Sequence, residues 1–382
     1  MKKIAVALGD IAEIVMGQSP PGSSYNRTGV GEPLLNGPAE FRGRNPIAVQ
    51  WTTEPTRFAA SDDILFCVRG ATTGRKCWSD RRYAIGRGLA AIRGRSSLCD
   101  TRFLWFLLDV VTERLLKRAA GSTFANLPGE ELLSFRVDLP PLAEQERIAG
   151  RLTEQLAAVE RARGAAQSRL AAAESLPAAY LREVFEGVET EDNLAPLGEV
   201  AHVEMGQSPP GSSYNSKGHG KPLLNGPTEF GDVHPVAVQW TTEPTRFAEA
   251  GDILFCVRGA TTGRKCRSDR QYCIGRGLAA IRGRDGVVDT NYLYYLLDVV
   301  KDRLLAKAAG STFVNLPGAE LEGALVAVPA LPDQRRIAAD LAARLAGTER
   351  LAEGIRAELA AIEALPAALL REAFGGSEVN DD

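Results

Sequence analysis

The sequence predicts an α+β protein: two mixed α/β domains, each followed by a long helix, with the whole chain built as an internal repeat. Three observations predict it. The first is the stretch MGQSPPGSSYN, which occurs at Met16–Asn26 and again, letter for letter, at Met205–Asn215. Trp51 and Trp240, Cys67 and Cys256, Gly121 and Gly310, and Pro177 and Pro366 keep the same 189-residue separation, so the halves align from about Leu8 to Phe185 without a gap. That period is far too long for a solenoid and marks a duplicated domain pair. The second is a change of composition inside each half, from Gly, Pro and aromatics to Ala, Leu, Glu and Arg. The third is a seven-residue apolar period in the second part of each half.

In the first part of each half (about Ile11–Pro141 and Ala201–Ala330), ILFCVRG and AAIRG read as strands, separated by the turn-like ATTG and a charged segment. TRFLWFLLDVVTERLLKRAAG (Thr101–Gly121) reads as an amphipathic helix, with Thr101 as N-cap and Lys117, Arg118 and Gly121 closing it. In the second part, Leu142, Ala149, Leu156, Arg163 and Leu170 form one seam position, and Gln145, Leu152, Val159, Ala166 and Ala173 fall three residues later. The copy gives Leu331, Ala338, Leu345, Ala352 and Leu359, then Gln334, Leu341, Thr348, Ile355 and Ile362. This is a coiled-coil signature. Neither helix can hide its stripe alone, and each has an equal in the other. At ~1.5 Å per residue such a helix spans roughly 60 Å, enough for a rigid spacer. Two ordinary bundle helices in separate domains are the alternative. Pro140–Pro141, Pro177 and Pro366 are expected to mark helix limits or a kink. The predicted organisation is residues 1–141 and 188–330 as the two globular domains, 142–187 and 331–376 as the helical regions, and 377–382 as a tail.

With 382 residues, 45% of them hydrophobic and 24% charged, the chain can bury ordinary cores. No apolar run approaches the ~20 residues of a membrane span, and the opening MKKIAVALGDIAEI is broken by Asp10 and Glu13, unlike a signal peptide. Six scattered cysteines (Cys67, Cys77, Cys99, Cys256, Cys266, Cys273) suit free thiols in a reducing cytoplasm. The net charge of −3 argues mildly against a nucleic-acid partner, but its distribution reverses that. Asp62–Arg95 holds eight Arg or Lys against Asp62, Asp63 and Asp80, and Gly251–Arg284 holds eight against Asp252 and Asp269. Basic residues beside Gly-rich loops suit phosphate contacts, and Arg suits guanine edges; solvated or paired strand-surface arginines are the bland reading.

Catalytic motifs fail on detail. GATTGRK (Gly70–Lys76, Gly259–Lys265) has one residue too few for a P-loop, and Cys77 or Cys266 stands where Ser or Thr should bind magnesium. No metal site is expected: Cys67 and Cys77 lack CxxC spacing, and His202, His219 and His234 all lie in the second copy. No nucleophile elbow and no NPPY-type tetrapeptide occurs. The halves share no reaction centre, and a reader rather than a catalyst is expected.

The order LGDIAEIVMGQSPPGSSYN (Leu8–Asn26), DILFCVRGATTGRK (Asp63–Lys76), AAGSTFANLPGEEL (Ala119–Leu132), LPPLAEQERIAGRL (Leu139–Leu152) and LPAAYLREVF (Leu176–Phe185) resembles the specificity subunit of type I restriction–modification enzymes. The second copy departs from PPLxEQ at Ala330 and Pro332. The resemblance covers essentially the whole chain. It implies two target recognition domains, each reading half of a bipartite site in double-stranded DNA. It also implies two helical regions that pair as an antiparallel coiled coil, fix the spacing and dock methyltransferase (modification) subunits, two being expected, and restriction subunits. S-adenosylmethionine, ATP and Mg would belong to those partners, leaving this chain without cofactor or catalytic residue. Like domains on antiparallel helices are related by a pseudo-twofold axis, so two near-identical domains imply near-identical half-sites in inverted orientation.

For DNA contact the expected residues are Gln18, Ser19, Tyr25, Arg69, Thr72, Thr73, Arg75, Lys76 and Arg87, with their copies Gln207, Ser208, Tyr214, Arg258, Thr261, Thr262, Arg264, Lys265 and Arg276. A divergent patch adds Arg42 and Arg44, replaced with Asn45 by Gly231, Val233 and His234; Trp78 and Arg82 likewise become Arg267 and Gln271. Surface drift or base contact both account for it. The helices' outer faces near Gln145, Arg147, Gln334 and Arg336 are the docking candidates. A coiled-coil adaptor that binds only proteins is the competing class.

Overall fold

The computed structural model describes residues 4–118, 126–231, 234–307 and 315–375. Gly121 and Gly310, Val233, the AAGSTF stretches and the tail 377–382 lie outside them. The chain packs as two units, Met1–Ala166 with Glu358–Asp382, and Gln167–Ala357.

In unit 1 the strand ILFC (Ile64–Cys67) is buried at every position, and its two-residue alternation divides the interior. Ile64 and Phe66 face one core with Ala90, Ile92, Phe103, Leu104 and Leu108. Leu65 and Cys67 face a second core with Leu35, Cys77, Tyr83 and Ile85. The strand sits in an antiparallel sheet ordered Lys76–Trp78, Ile64–Cys67, Leu89–Gly94, Ala12–Met16. A second sheet is ordered Tyr25–Asn26, Gln50–Thr52, Glu32–Leu35, Tyr83–Ile85, Phe58–Ala59, with one parallel pair, Glu32–Leu35 beside Tyr83–Ile85. Unit 2 repeats both sheets in the same order from Ala201–Met205 to Leu278–Gly283.

The helix Thr101–Arg118 begins at Thr101, so Thr101 is not its N-cap. Asp100 is: its Oδ1 accepts the Phe103 N–H at 2.8 Å, while the Thr101 hydroxyl accepts the Gly94 N–H. Asp289 caps Thr290–Lys307 in the same way through Tyr292.

The first long helix, Leu142–Val188, and the second, Leu331–Phe374, continue unbroken past Pro177 and Pro366. The prolines therefore do not end them. The residues beyond each proline are anchored: Phe374 packs on Phe103 with ring centroids 5.4 Å apart, and Phe185 on Tyr292 at 5.6 Å. The heptad holds. Gln145, Leu152, Val159, Ala166 and Ala173 are all buried, as are Gln334, Leu341, Thr348 and Ile355; Arg163 is the exposed seam residue. Within unit 2, Glu174 pairs with Arg356 at 2.9 Å and Glu183 with Arg344 at 4.0 Å. Residue numbers rise on one helix as they fall on the other, so the pair is antiparallel. Within unit 1, Arg151 lies 3.9 Å from Glu372, and Leu156 and Leu369 join one core.

Candidate nucleic-acid interface

One end of the five-stranded sheet gathers Gln18, Ser19, Arg69, Arg75 and Arg87 from the expected residues of unit 1. The Gln18 N–H donates to Ile85 O at 3.0 Å, the Arg87 N–H to Ser19 Oγ at 3.3 Å, and Thr56 Oγ1 to Gln18 O at 2.6 Å. Gly17 makes this approach possible, since a Cβ there would lie 2.7 Å from Leu89 O. The Val68 N–H then bonds Gly88 O at 2.9 Å, which brings Arg69 beside Arg87. After it the chain folds back through a tight turn. Gly70 and Gly74 have φ of 85° and 94°, and the Cys67 N–H reaches Arg75 O at 2.8 Å. Gln18, Arg69, Arg75 and Arg87 are all exposed on this end. Unit 2 repeats the arrangement: the Gln207 N–H donates to Ile274 O, the Arg276 N–H to Ser208 Oγ, and the Val257 N–H to Gly277 O. Gln207, Arg258, Arg264 and Arg276 are again exposed.

Other expected residues are placed elsewhere. Lys76 and Lys265 are not surface cations. Each side chain is 7% exposed and ion-paired, to Asp109 and Asp298 respectively. Their ammonium groups lie over the rings of Trp105 (4.4 Å) and Tyr294 (4.2 Å). Burial pushes Lys76 below the usual lysine range against the pull of Asp109, and pushes Lys265 down to about 8. Each ammonium group is thus engaged inside the fold and not presented to solvent, unlike the neighbouring arginines. Thr73 and Thr262 donate to Gly70 O and Gly259 O at 2.7 Å, and Thr72 and Thr261 lie against the thiols of Cys67 and Cys256, so all four build the turn. Tyr25 and Tyr214 are half-buried on strands opposite Thr52 and Thr241.

Gln145 and Gln334 are also displaced from their expected role. Both are fully buried rather than on an outer face. Gln145 accepts from the Asp100 N–H and donates to Leu98 O and Pro140 O. Arg147 and Arg336 are exposed and pair within their own helices, to Glu144 and Asp333.

Three of the divergent positions, Arg44, Asn45 and Trp78, meet in space. Arg42 and Arg44 flank Gly43 on an exposed hairpin whose Arg44 O accepts the Trp78 N–H at 3.0 Å. Trp78 stacks on Trp105 with centroids 4.7 Å apart, and a groove of about 680 Å³ runs between Arg44, Asn45, Trp78, Arg93 and Arg102. In unit 2 the Arg267 guanidinium lies 4.7 Å from the Tyr294 ring and donates to Asn291 Oδ1 at 2.8 Å, and the His234 ring nitrogen is 3.3 Å from Arg267 O. Arg82 lies over Phe58, whereas Gln271 bonds Lys221 and Glu249.

Several residues at the sheet end escaped the sequence reading: Arg57 and Arg246, both exposed, and the Asn36–Gln50 and Asn225–Gln239 amide pairs at 3.0 and 2.9 Å. For Gln50 and Arg57 the signal was the identity of VQWTTEPTRFA between the halves, whose exposed positions have no packing reason to match.

Comparison with known proteins agrees with this architecture. The model of the type I restriction modification DNA specificity domain matches residues 3–164 and, a second time, 193–361. The chain belongs to this family. A Methanocaldococcus jannaschii protein described as a type I restriction enzyme MjaX specificity subunit is 30% identical over 285 residues; the match spans 68% of this chain and 64% of that relative. The HsdS subunit from Thermoanaerobacter tengcongensis superposes with a TM-score of 0.72 at 25% identity, covering 98% of this chain and 97% of that one. A chain from a structure addressing complex assembly and conformational transition of the type I R-M system reaches a TM-score of 0.78 at 25% identity, with 97% of each chain covered.

Proposed function

We propose that this member of the specificity family is the DNA-reading subunit of a type I restriction–modification complex, without catalysis of its own. Each unit reads one half of a bipartite duplex site. The observation that carries the reading is the duplicated sheet end: Gln18, Arg57, Arg69, Arg75 and Arg87 are exposed there, and Gln207, Arg246, Arg258, Arg264 and Arg276 repeat them without a substitution. Exposed arginines on a rigid strand end can neutralise phosphates and reach guanine edges, while the neighbouring amides suit adenine. An overall acidic chain with two local basic surfaces binds DNA there and not elsewhere.

The paired helices set the distance between half-sites, and their exposed faces around Arg147 and Arg336 dock methyltransferase subunits. S-adenosylmethionine, ATP and Mg belong to those partners and to the restriction subunit. Salt-dependent binding of the purified chain to duplex DNA, together with co-purification of a methyltransferase subunit, tests the assignment. Binding of proteins alone, with no affinity for DNA at low salt, would leave a coiled-coil adaptor instead.

A further inference from the structure

Beside the arginines, the segment entering Gln50–Thr52 alternates. Pro46 and Ala48 turn inward, while Ile47 and Val49 face solvent, each 58% exposed. Val236 and Val238 stand at 62% and 65% in unit 2. A lone exposed apolar side chain is ordinary. Others on this surface have not been kept: the counterpart of Val30 is His219, and that of Leu133 is Glu322. Ile47 and Val49 stay β-branched in the copy, although the positions just before them changed from Arg42, Arg44 and Asn45 to Gly231, Val233 and His234. Leu98 and Val287 also remain apolar, but they form a separate patch where Gln145 and Gln334 bond their carbonyls.

Val49 directly precedes Gln50, whose pairing with Leu34 is the last of its ladder. Asn36 bonds Gln50 at 3.0 Å and closes over Gly86, next to Arg87. In both units an exposed pair of branched side chains thus comes directly before the Gln of the amide pair, in the segment that leads into the strand beside the arginine-bearing sheet end. The major-groove edge of a base pair offers amide, carbonyl and N7 groups to polar side chains, and only thymine offers a methyl group.

We infer that Val49 and Val238, flanked by Ile47 and Val236, are specificity-determining contacts to the 5-methyl group of a thymine at the equivalent position of each half-site; this rests on the DNA-reading function proposed above. The full chain selects its recognition duplex from a randomised pool, and each thymine is then replaced in turn by deoxyuridine, which lacks only that methyl. One replacement in each half-site should weaken wild-type binding about fourfold, the effect of one lost methylene-sized contact. The Val49→Ala, Val238→Ala double variant should bind the parent duplex more weakly and no longer sense those two replacements. The Val49→Thr, Val238→Thr pair keeps the branched shape and should retain part of the discrimination even if the alanine variant melts early. Wild type that selects a sequence yet tolerates deoxyuridine everywhere, or a double variant that stays sensitive at the same positions, would overturn the methyl contact alone. A chain that selects no sequence overturns the DNA-reading function with it.

Discussion

Gln145 and Gln334 tie each long helix to the domain it leaves. The Gln145 amide makes three bonds, to the Asp100 N–H at 3.0 Å, Leu98 O at 3.0 Å and Pro140 O at 2.8 Å, and Gln334 repeats them with Asp289, Val287 and Pro329. Truncation to alanine strands these backbone groups in a buried site, which costs about 1–3 kcal/mol. Gln145→Ala should therefore lower the melting temperature, and Gln145→Glu should lower it as well, because an ionised carboxylate cannot donate to Leu98 O or Pro140 O. The arginines and lysines of the turn separate by the same logic. Arg87→Ala should weaken DNA binding and reduce the slope of log affinity against log salt by about 1 if it meets a phosphate. Lys76→Met should leave that slope unchanged, since Lys76 is occupied by Asp109. The six cysteines are free and buried. Burial pushes Cys77 up to about 11 and Cys99 up to about 12 from an ordinary value of 9.0. Both hold their protons longer when folded than when unfolded. The stability they lend is thus full below pH 9 and is lost as pH rises through 9 towards 11 and 12, and melting temperature should fall across that window. At pH 8 a thiol reagent should label native Cys77 far more slowly than the same thiol in denaturant, because the buried thiol is both inaccessible and held protonated.

At the scale of elements, the heptad was legible because burial follows its period: Leu152, Ala166, Leu341 and Ile355 are all within 3% of full burial. Leu341→Ala should cost about 2–5 kcal/mol in urea unfolding, whereas Arg163→Ala, at an exposed seam position, should change little. Pro140–Pro141 precede the first long helix as expected, whereas Pro177 and Pro366 do not end theirs, because local propensity speaks only for the broken hydrogen bond. Tertiary packing of Phe185 and Phe374 beyond them offsets it. Phe374→Ala should then destabilise unit 1 by about 3–5 kcal/mol and fray the end of the second helix. The strands ILFC and AAIRG were readable from their apolar runs. Strands of two or three residues, such as Phe58–Ala59 and Tyr83–Ile85, carry too little pattern to be read. The same limit hid Arg57, Asn36 and Gln50, which reach the interface only through pairings made across the sheet.

For the whole molecule, what matters is where the two copies still agree. The blocks 16–26, 48–59, 63–77 and 85–95 match their partners residue for residue, and they converge on the sheet end that carries Gln18, Arg57, Arg69, Arg75 and Arg87. Among the substitutions, one group lies together around Arg44, Trp78, Arg102 and Trp105 in unit 1, and around His234, Arg267, Asn291 and Tyr294 in unit 2. Core packing explains identity at buried positions. It does not explain identity at exposed arginines, where surface substitutions are usually close to neutral. A shared ligand would explain it, as the proposed reading of matched half-sites requires. Exchanging Arg44, Asn45 and Trp78 for the residues of the second copy should leave the core of the half-site unaltered and shift preference by a base pair at most, worth about 1–3 kcal/mol. Two matched readers should then face matched half-sites. Mapping methylated bases across a genome that carries this system tests it most directly. A bipartite site with nearly the same sequence in both halves, in inverted orientation, is the predicted result; two unrelated half-sites would contradict it.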